Sequence, residues 1–377
     1  MAASKVYFAD FRTPMAGENM PDRLKRLAKT AGIGNIDMEG KFVAIKMHFG
    51  ELGNISYLRP NYVRAIVDLI KEMGGKPYLT DCNTMYPGFR KNALEHLECA
   101  WANGFTPLTV GCPILIGDGL KGTDTIAVPV EGCEYTKEAL IGRAVMDADV
   151  FISLTHFKGH ELAGFGGTIK NIGMGCGSRA GKKDMHSNSK PFIDPELCRG
   201  CRGCQKECAN GGLVYDESIK KMTVDTDNCV GCGRCLGACN FDAIDFRQNR
   251  AVSILNAKMA EYTKAVISGR DNFHLSLIVD VSPFCDCHRE NDTPVIPDIG
   301  MFASFDPVAL DQACADACLK ATPLPNSVLC DHLKEDGFHD FHDHFKNISP
   351  ESEWETQLIH GEKIGLGTRE YELIKIK

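Results

Sequence analysis

Eight cysteines fall in two matching runs, Cys198, Cys201, Cys204 and Cys208, then Cys229, Cys232, Cys235 and Cys239, each spaced C-x-x-C-x-x-C-x-x-x-C. Three thiolates within seven residues wrap one face of an iron–sulfur cube. A zinc site is more often built from two separated C-x-x-C pairs around a tetrahedral ion. The spacing therefore points to 4Fe–4S chemistry, with each fourth ligand supplied from elsewhere in the chain. Gly200, Gly203, Gly231 and Gly233, between the ligands, let backbone amides approach the sulfurs, one lever on cluster potential.

A second constellation precedes the cysteines. His160, Lys170 and His186 stand in a stretch with glycines at 164, 166, 167, 173, 175, 177 and 181. Histidine exchanges protons near neutral pH, and a desolvated lysine becomes a nucleophile. Glycines let the backbone pass close to a ligand and offer amides to anions. A ligand-cradling crossover is one reading, and a structural glycine turn with exposed side chains is the other. The "CDCH" stretch adds Cys285, Cys287 and His288, too few for a cluster. A redox-sensitive thiol pair, a partial metal site and a packing role all stay open there. Cys314 and Cys318, four apart on an expected helix, read as small core residues, and the run holding His339, His342 and His344 reads as a solvated amphipathic segment.

Alternating strands and helices must position these groups. Residues 41–49, 76–81, 125–130, 149–157, 273–282 and 300–305 read as strands, and 60–75, 89–102, 137–146, 251–268 and 306–321 as helices. Pro60 suits a first helical turn, and Asp306 followed by Pro307 suits an N-cap. Such alternation implies an α/β fold, a mostly parallel, doubly wound sheet with helices on both faces, interrupted by a small α+β two-cluster ferredoxin domain. The expected division is 1–186 and 248–377 for the two parts of the α/β unit, with 187–247 inserted. Ligands of open α/β sheets bind beyond the carboxyl ends of the strands. Lys46, His48, Asp81, His156, Lys158, His160, Asp280 and Asp306 follow expected strands and are expected to gather there, Asp306 mainly as a helix cap. Arg59 and Cys82 are further pocket candidates.

The chain has 377 residues, 44% of them apolar, and a net charge of −8 with no long basic block. It can bury a core, and neither a nucleic-acid groove nor an anionic membrane surface is an expected partner. The first twenty residues lack a signal-peptide pattern and no apolar run is long enough to span a bilayer, so a soluble, cytoplasmic protein is expected. In that compartment eighteen cysteines argue for metal or redox chemistry rather than disulfides.

Residues 194–246 resemble bacterial two-cluster ferredoxin domains, in which the last cysteine of each run ligates the other cluster. The resemblance implies Cys198, Cys201, Cys204 and Cys239 around one 4Fe–4S cluster and Cys229, Cys232, Cys235 and Cys208 around the second. Ala209 and Asn240 stand where a proline commonly follows the last cysteine. The phrases "KMHFGELGNISYLRP", "THFKGHELAGFGGTIKNIGMG", "VDVSPFCDCH", "DPVALDQACADAC" and "HGEKIGLGTREYELI" resemble the iron–sulfur branch of the domain of unknown function 362 family, which supplies architecture more than activity. More remotely, His160, "AGFGG", Lys170 ten residues after the histidine and His186 sixteen after the lysine resemble the nickel-pincer lactate racemase family. That likeness implies His160 as an acid/base, Lys170 as a covalent or phosphate-binding amine and His186 as a metal ligand or second base. His48 is a candidate second acid/base, and Arg59 a weak match to that family's arginine.

Three functions follow as expectations. The first is an iron–sulfur oxidoreductase or electron-transfer protein whose two clusters exchange electrons with a small-molecule or cofactor site in the α/β domain, served by a redox partner protein or a small-molecule donor or acceptor. The second is a racemase-like or isomerase-like proton-transfer enzyme using His160, Lys170 and His186, with structural or sensory clusters. The third is a non-catalytic carrier or scaffold subunit.

Overall fold

The computed structural model describes residues 3–376 apart from 86–87, 188–189, 209, 232–233, 240, 242, 246–250 and 336–341. Cys232, Ala209, Asn240, Gly233 and His339 therefore lie outside the described residues.

Eight strands build one sheet: β1 (Ser4–Asp10), β2 (Phe42–Lys46), β3 (Lys76–Asp81), β4 (Ile114–Ile116), β5 (Val150–His156), β6 (Asp271–Ile278), β7 (Gly300–Ser304) and β8 (Tyr371–Lys375). Their spatial order is β8-β1-β7-β6-β5-β2-β3-β4. Only β7 opposes its neighbours, pairing antiparallel with β1 and β6, while the remaining pairs are parallel. The strand order turns back between β2 and β5, where Val43 pairs Val150 and Lys46 pairs Ser153. From that seam β3 and β4 extend one way and β6 the other, so the crevice at the carboxyl ends of β2 and β5 is the topological switch point where α/β folds bind ligands.

Both faces of the sheet are covered, as a parallel sheet requires. Helices α1 (Met20–Thr30), α2 (Pro60–Glu72) and α3 (Ala93–Ala102) lie over Val43, Ile45, Ile152, Leu154 and Leu275. On the other face α4 (Thr168–Cys176), α5 (Ala251–Ile267), α6 (Pro307–Leu319) and α7 (Trp354–Lys363) cover Ala44, Phe151 and Phe302. Asp306 caps α6 through the Val308 and Ala309 amides, and Cys314 and Cys318 pack in the core.

Two expectations change. Residues 137–146 are not a helix: Glu138–Gly142 pairs antiparallel with Thr125–Pro129 in a hairpin apart from the main sheet, and a helical turn covers only Arg143–Met146. Glu, Ala and Leu favour a helix, but Ala139 and Ile141 alternate as buried positions at strand period, and tertiary pairing wins. The glycine stretch, expected as a crossover or turn, is partly helical. It holds α4, and two of its glycines are packing positions within that helix. A Cβ on Gly173 would lie 2.9 Å from the Met259 carbonyl carbon on α5, and one on Gly175 would collide with the Lys46 ammonium.

The cysteine runs fold around a small core of their own, formed by Ile193, Cys198, Cys204, Leu213, Met222, Cys235, Ala243 and Ile244. Phe192–Ile193 pairs with Ile244–Asp245, so the strands that enter and leave the segment lie side by side. A hairpin, Leu213–Asp216 with Lys221–Val224, separates the two cysteine runs.

Candidate functional site

The switch-point crevice holds a buried cavity of about 60 Å³. That is room for a few water-sized groups. Its wall includes Lys46 at the end of β2 and His48 just after it, Asp81 and Cys82 at the end of β3, Lys158 and His160 after β5, Lys170 on α4, and His186, Cys285 and Cys287. Asn171 of α4 fastens the seam: its amide donates to Lys46 O, Leu154 O and Thr155 Oγ1, and its Oδ1 accepts from Lys46 Nζ at 2.8 Å. The N-terminus of α4 is held by buried Asp311, whose carboxylate oxygens accept from Thr168 N at 2.7 Å and Ile169 N at 2.8 Å.

Most charges here come in buried pairs, because an isolated buried ion is costly. Lys46 meets Asp81 at 3.1 Å, Arg90 meets Glu51 at 2.9 Å, and Lys158 meets Asp286 at 3.3 Å. Burial raises the Asp81 and Asp286 carboxyls, but neighbouring cations outweigh it and both lie below the usual range, through Lys46 for Asp81 and through His156 and Lys158 for Asp286. Lys182 is held instead by Gly175 and Gly177 carbonyls, and Lys170 Nζ lies 3.2 Å from Cys285 Sγ.

The histidines differ in what they present. Nδ1 of His160 accepts from the Leu162 and Ala163 amides, which leaves Nε2 to carry the hydrogen of the neutral ring. His186 does the reverse: its Nδ1 donates to Gly231 O at 3.1 Å, so Nε2 is the basic nitrogen. Burial keeps both neutral, pushing His160 well below its ordinary value and His186 to about 4. Both His48 nitrogens face N–H donors, Gly50 N and Arg90 Nη1, and burial, then Arg90, push its pKa well down, so a second proton is disfavoured. Glu161 bridges toward His288 at 3.1 Å; burial opposes charge on that ring, yet the carboxylate prevails and His288 is raised.

Three proposed pocket residues lie elsewhere. Arg59 and Asp280 pair at 2.9 Å on the exposed side of the sheet edge, 57% and 33% accessible. His156 is turned away from the cavity, its ring between Asp286 and the Val279 carbonyl. His156 ends β5 on the face opposite Thr155, whose Oγ1 accepts from Asn171 of the cavity wall, whereas Lys158 lies beyond the strand in a short hairpin of Lys158–His160 with Gly164–Gly166. Arg90, Asn171 and Lys182 line the cavity without having been singled out. Arg90 follows β3 by nine residues, and the strand-end rule extended along that loop would have reached it.

Two smaller cavities lie in the cysteine segment. Cys198, Cys201, Cys204 and Cys239 surround one, and Cys208, Cys229 and Cys235 line the other. Sulfurs from both runs line each cavity, a donor set that fits iron–sulfur ligation. Gly200 N and Met222 N point at Cys198 Sγ at 3.4 and 3.5 Å, supplying the amide donors such sulfurs accept. The second of these sites abuts the switch-point cavity, since Gly231 O accepts from His186 and the Arg234 guanidinium donates to Cys287 O at 3.3 Å.

A family model described as "Domain of unknown function (DUF362)" matches residues 43–316, which span both the switch-point cavity and the cysteine segment. The chain belongs to the DUF362 family. A thylakoid-associated protein of Synechocystis is 26% identical over 170 residues, 43% of this chain and 47% of that protein, so the chain spans about half of that relative's length. An uncharacterised ferredoxin of Methanocaldococcus jannaschii is 36% identical over 55 residues, 14% of this chain and 71% of the ferredoxin. A pyruvate synthase subunit of the same organism is 34% identical over 55 residues, covering 15% and 63%. This DUF362 chain therefore carries a ferredoxin-type iron–sulfur segment. Among solved structures, the lactate racemase apoprotein of Thermoanaerobacterium thermosaccharolyticum aligns over 68% of this chain and 49% of its own, with 15% identity and a TM-score of 0.33. Among the described residues no helix is long and apolar enough to cross a membrane.

Proposed function

We propose that this DUF362 chain is a cytoplasmic iron–sulfur oxidoreductase whose inserted domain, residues 187–247, holds two 4Fe–4S clusters and exchanges electrons with a small molecule bound at the switch-point cavity. Cys198, Cys201, Cys204 and Cys239 would hold one cluster, and Cys229, Cys232, Cys235 and Cys208 the other. Each supplies one-electron chemistry when bound. The observation that carries the reading is the direct contact of Gly231 and Arg234, both in the second ligand loop, with His186 and Cys287 of the cavity wall. The surrounding residues bind and orient: Lys170 and Lys182 offer positive charge without a carboxylate partner among the described contacts, which favours an anionic ligand. A redox protein or a small-molecule donor would load the clusters from outside.

A second reading, proton transfer without net electron flow, is favoured by one specific feature. His160 presents an N–H and His186 a basic nitrogen, the opposite tautomers an acid and a base require. Anaerobic reconstitution tests the first reading, with about eight iron atoms and as many sulfides per chain expected for two clusters. Zinc alone, or half that iron, would sink it. An intact-mass adduct on Lys170 together with nickel would favour the second.

A further inference from the structure

Cys285 and Cys287 occupy the wall shared by the cavity and the second cysteine site. Cys285 is buried and Cys287 partly so, and their sulfurs and a ring nitrogen of His160 lie within 4.8 Å of one another. Two thiols and an imidazole invite a metal, but His160 argues otherwise. Its Nδ1 already accepts two backbone N–H groups, at 3.1 and 3.0 Å. A metal on Nε2 would normally leave Nδ1 protonated and facing those donors, N–H against N–H. With Nε2–H retained, the ring is instead a donor on the sulfur side.

Lys170 is the second donor, 3.2 Å from Cys285 Sγ, and its ammonium favours a thiolate on either sulfur, outweighed at Cys285 by the bond to Cys287 and by burial. The two sulfurs are unequal. The hydrogen bond between them holds Cys287 down to about 7 and, with burial, pushes Cys285 well above the ordinary thiol value. One member is thus poised as thiolate and the other as thiol, the asymmetry that thiol–disulfide exchange uses. The Cys287 carbonyl accepts from Arg234, which stands between the second-run ligands Cys232 and Cys235, and from Arg90 at 3.4 Å.

We propose that Cys285 and Cys287 are a redox-active dithiol/disulfide couple that gathers two single electrons from the iron–sulfur segment into one electron pair at the cavity. The inference rests on the electron-transfer reading above. Reduction breaks the Cys285–Cys287 S–S bond: the pair takes one electron from each of the two reduced clusters and two protons, giving two thiols and two oxidised clusters. A low-potential one-electron donor then reloads the clusters. Forming the bond requires the sulfurs to close to about 2 Å by side-chain rotation.

The test is an anaerobic reductive titration of the oxidised, cluster-loaded full chain with dithionite, with peptide mass analysis after alkylation before and after reduction. The wild type should accept about four electrons per chain, two at the clusters and two at the disulfide. Cys285→Ser and Cys287→Ser should each accept about two while keeping wild-type iron content and cluster absorbance. The 285–287 peptide should be two mass units lighter and resistant to alkylation when oxidised, and doubly alkylated after reduction. Equal electron counts in wild type and both variants, with clusters bleaching normally, would overturn the couple while leaving the electron-transfer reading standing. A stoichiometric non-iron metal released on Cys285→Ser would also overturn it. Failure of the clusters to assemble would instead remove the reading on which it rests.

Discussion

Replacing Gly173 by alanine should destabilise the protein, although alanine is the better helix former. Gly173 lies inside α4, so substitution should gain about 1 kcal/mol of helix propensity. The added methyl, however, would sit 2.9 Å from the Met259 carbonyl carbon, closer still to its oxygen, and 3.0 Å from Thr263 Oγ1. The nearest obstacle is backbone, so α5 must move by half an ångström or more against the sheet. Overpacking of this kind costs about 1–3 kcal/mol, and the upper end applies where no side chain can swing aside. The net expectation is a loss of about 2 kcal/mol, read from urea melts followed by far-ultraviolet circular dichroism. Gly34→Ala is the control: nothing lies within 4 Å of its added methyl, and its stability should stay within about 0.5 kcal/mol of wild type. A Gly173→Ala protein at least as stable as wild type would refute the claim that α4 is held against α5 by the absence of a side chain.

Other consequences follow from the same contacts. Cys239→Ser and Cys208→Ser should each lower the iron content from about eight to about four, and by the crossed assignment Cys208→Ser should remove the cluster of the second run rather than the first. Asp286→Asn leaves His156 and Lys158 without their carboxylate and should cost about 3–5 kcal/mol in a denaturation midpoint experiment. Because the folded Asp286 pKa is depressed, its stabilisation is present above the unfolded value of about 4 and is lost as pH falls below it; the gap between wild type and Asp286→Asn should narrow on acidification. Cys287 should alkylate with iodoacetamide at a rate that rises through about pH 7, well below an ordinary thiol, and Cys285→Ala should move that rise upward by removing its hydrogen-bond donor.

Much of this arrangement was legible because its signals are local. Period and end residues placed β2, β3, β5 and α6, and the rule that ligands sit beyond strand ends brought Lys46, His48, Asp81, Lys158 and His160 to one place. The cysteine spacing pointed to iron–sulfur chemistry, and Cys198, Cys201, Cys204 and Cys239 do surround one small cavity. What escaped reading depends on partners distant in sequence. Glycines at 173 and 175 read as freedom to pass close to a ligand, yet Met259 and Lys46 stand where their side chains would be. Arg90, Asn171 and Lys182 belong to no motif and acquire meaning only when β2, β5 and α4 meet. His156 was misplaced because a strand turns successive residues to opposite sides, and the buried carboxylate of Asp286 lies behind it rather than in the cavity.

The central claim is that the cavity and the second cluster share an electrostatic environment. Lys182 tests it: it is buried, bonded to backbone carbonyls, and one helical turn before His186, which touches Gly231. Lys182→Met removes one positive charge with little change of shape. At an effective dielectric of about 20 a unit charge acting over about 10–15 Å is worth about 1–2 kcal/mol, on the order of 50 mV for one electron. An anaerobic potentiometric titration followed by electron paramagnetic resonance, with Cys208→Ser identifying the second-cluster signal, should show that cluster's potential falling by that order and the first cluster's falling less. Two fully assembled clusters whose potentials stay put, or shift equally, would contradict the account.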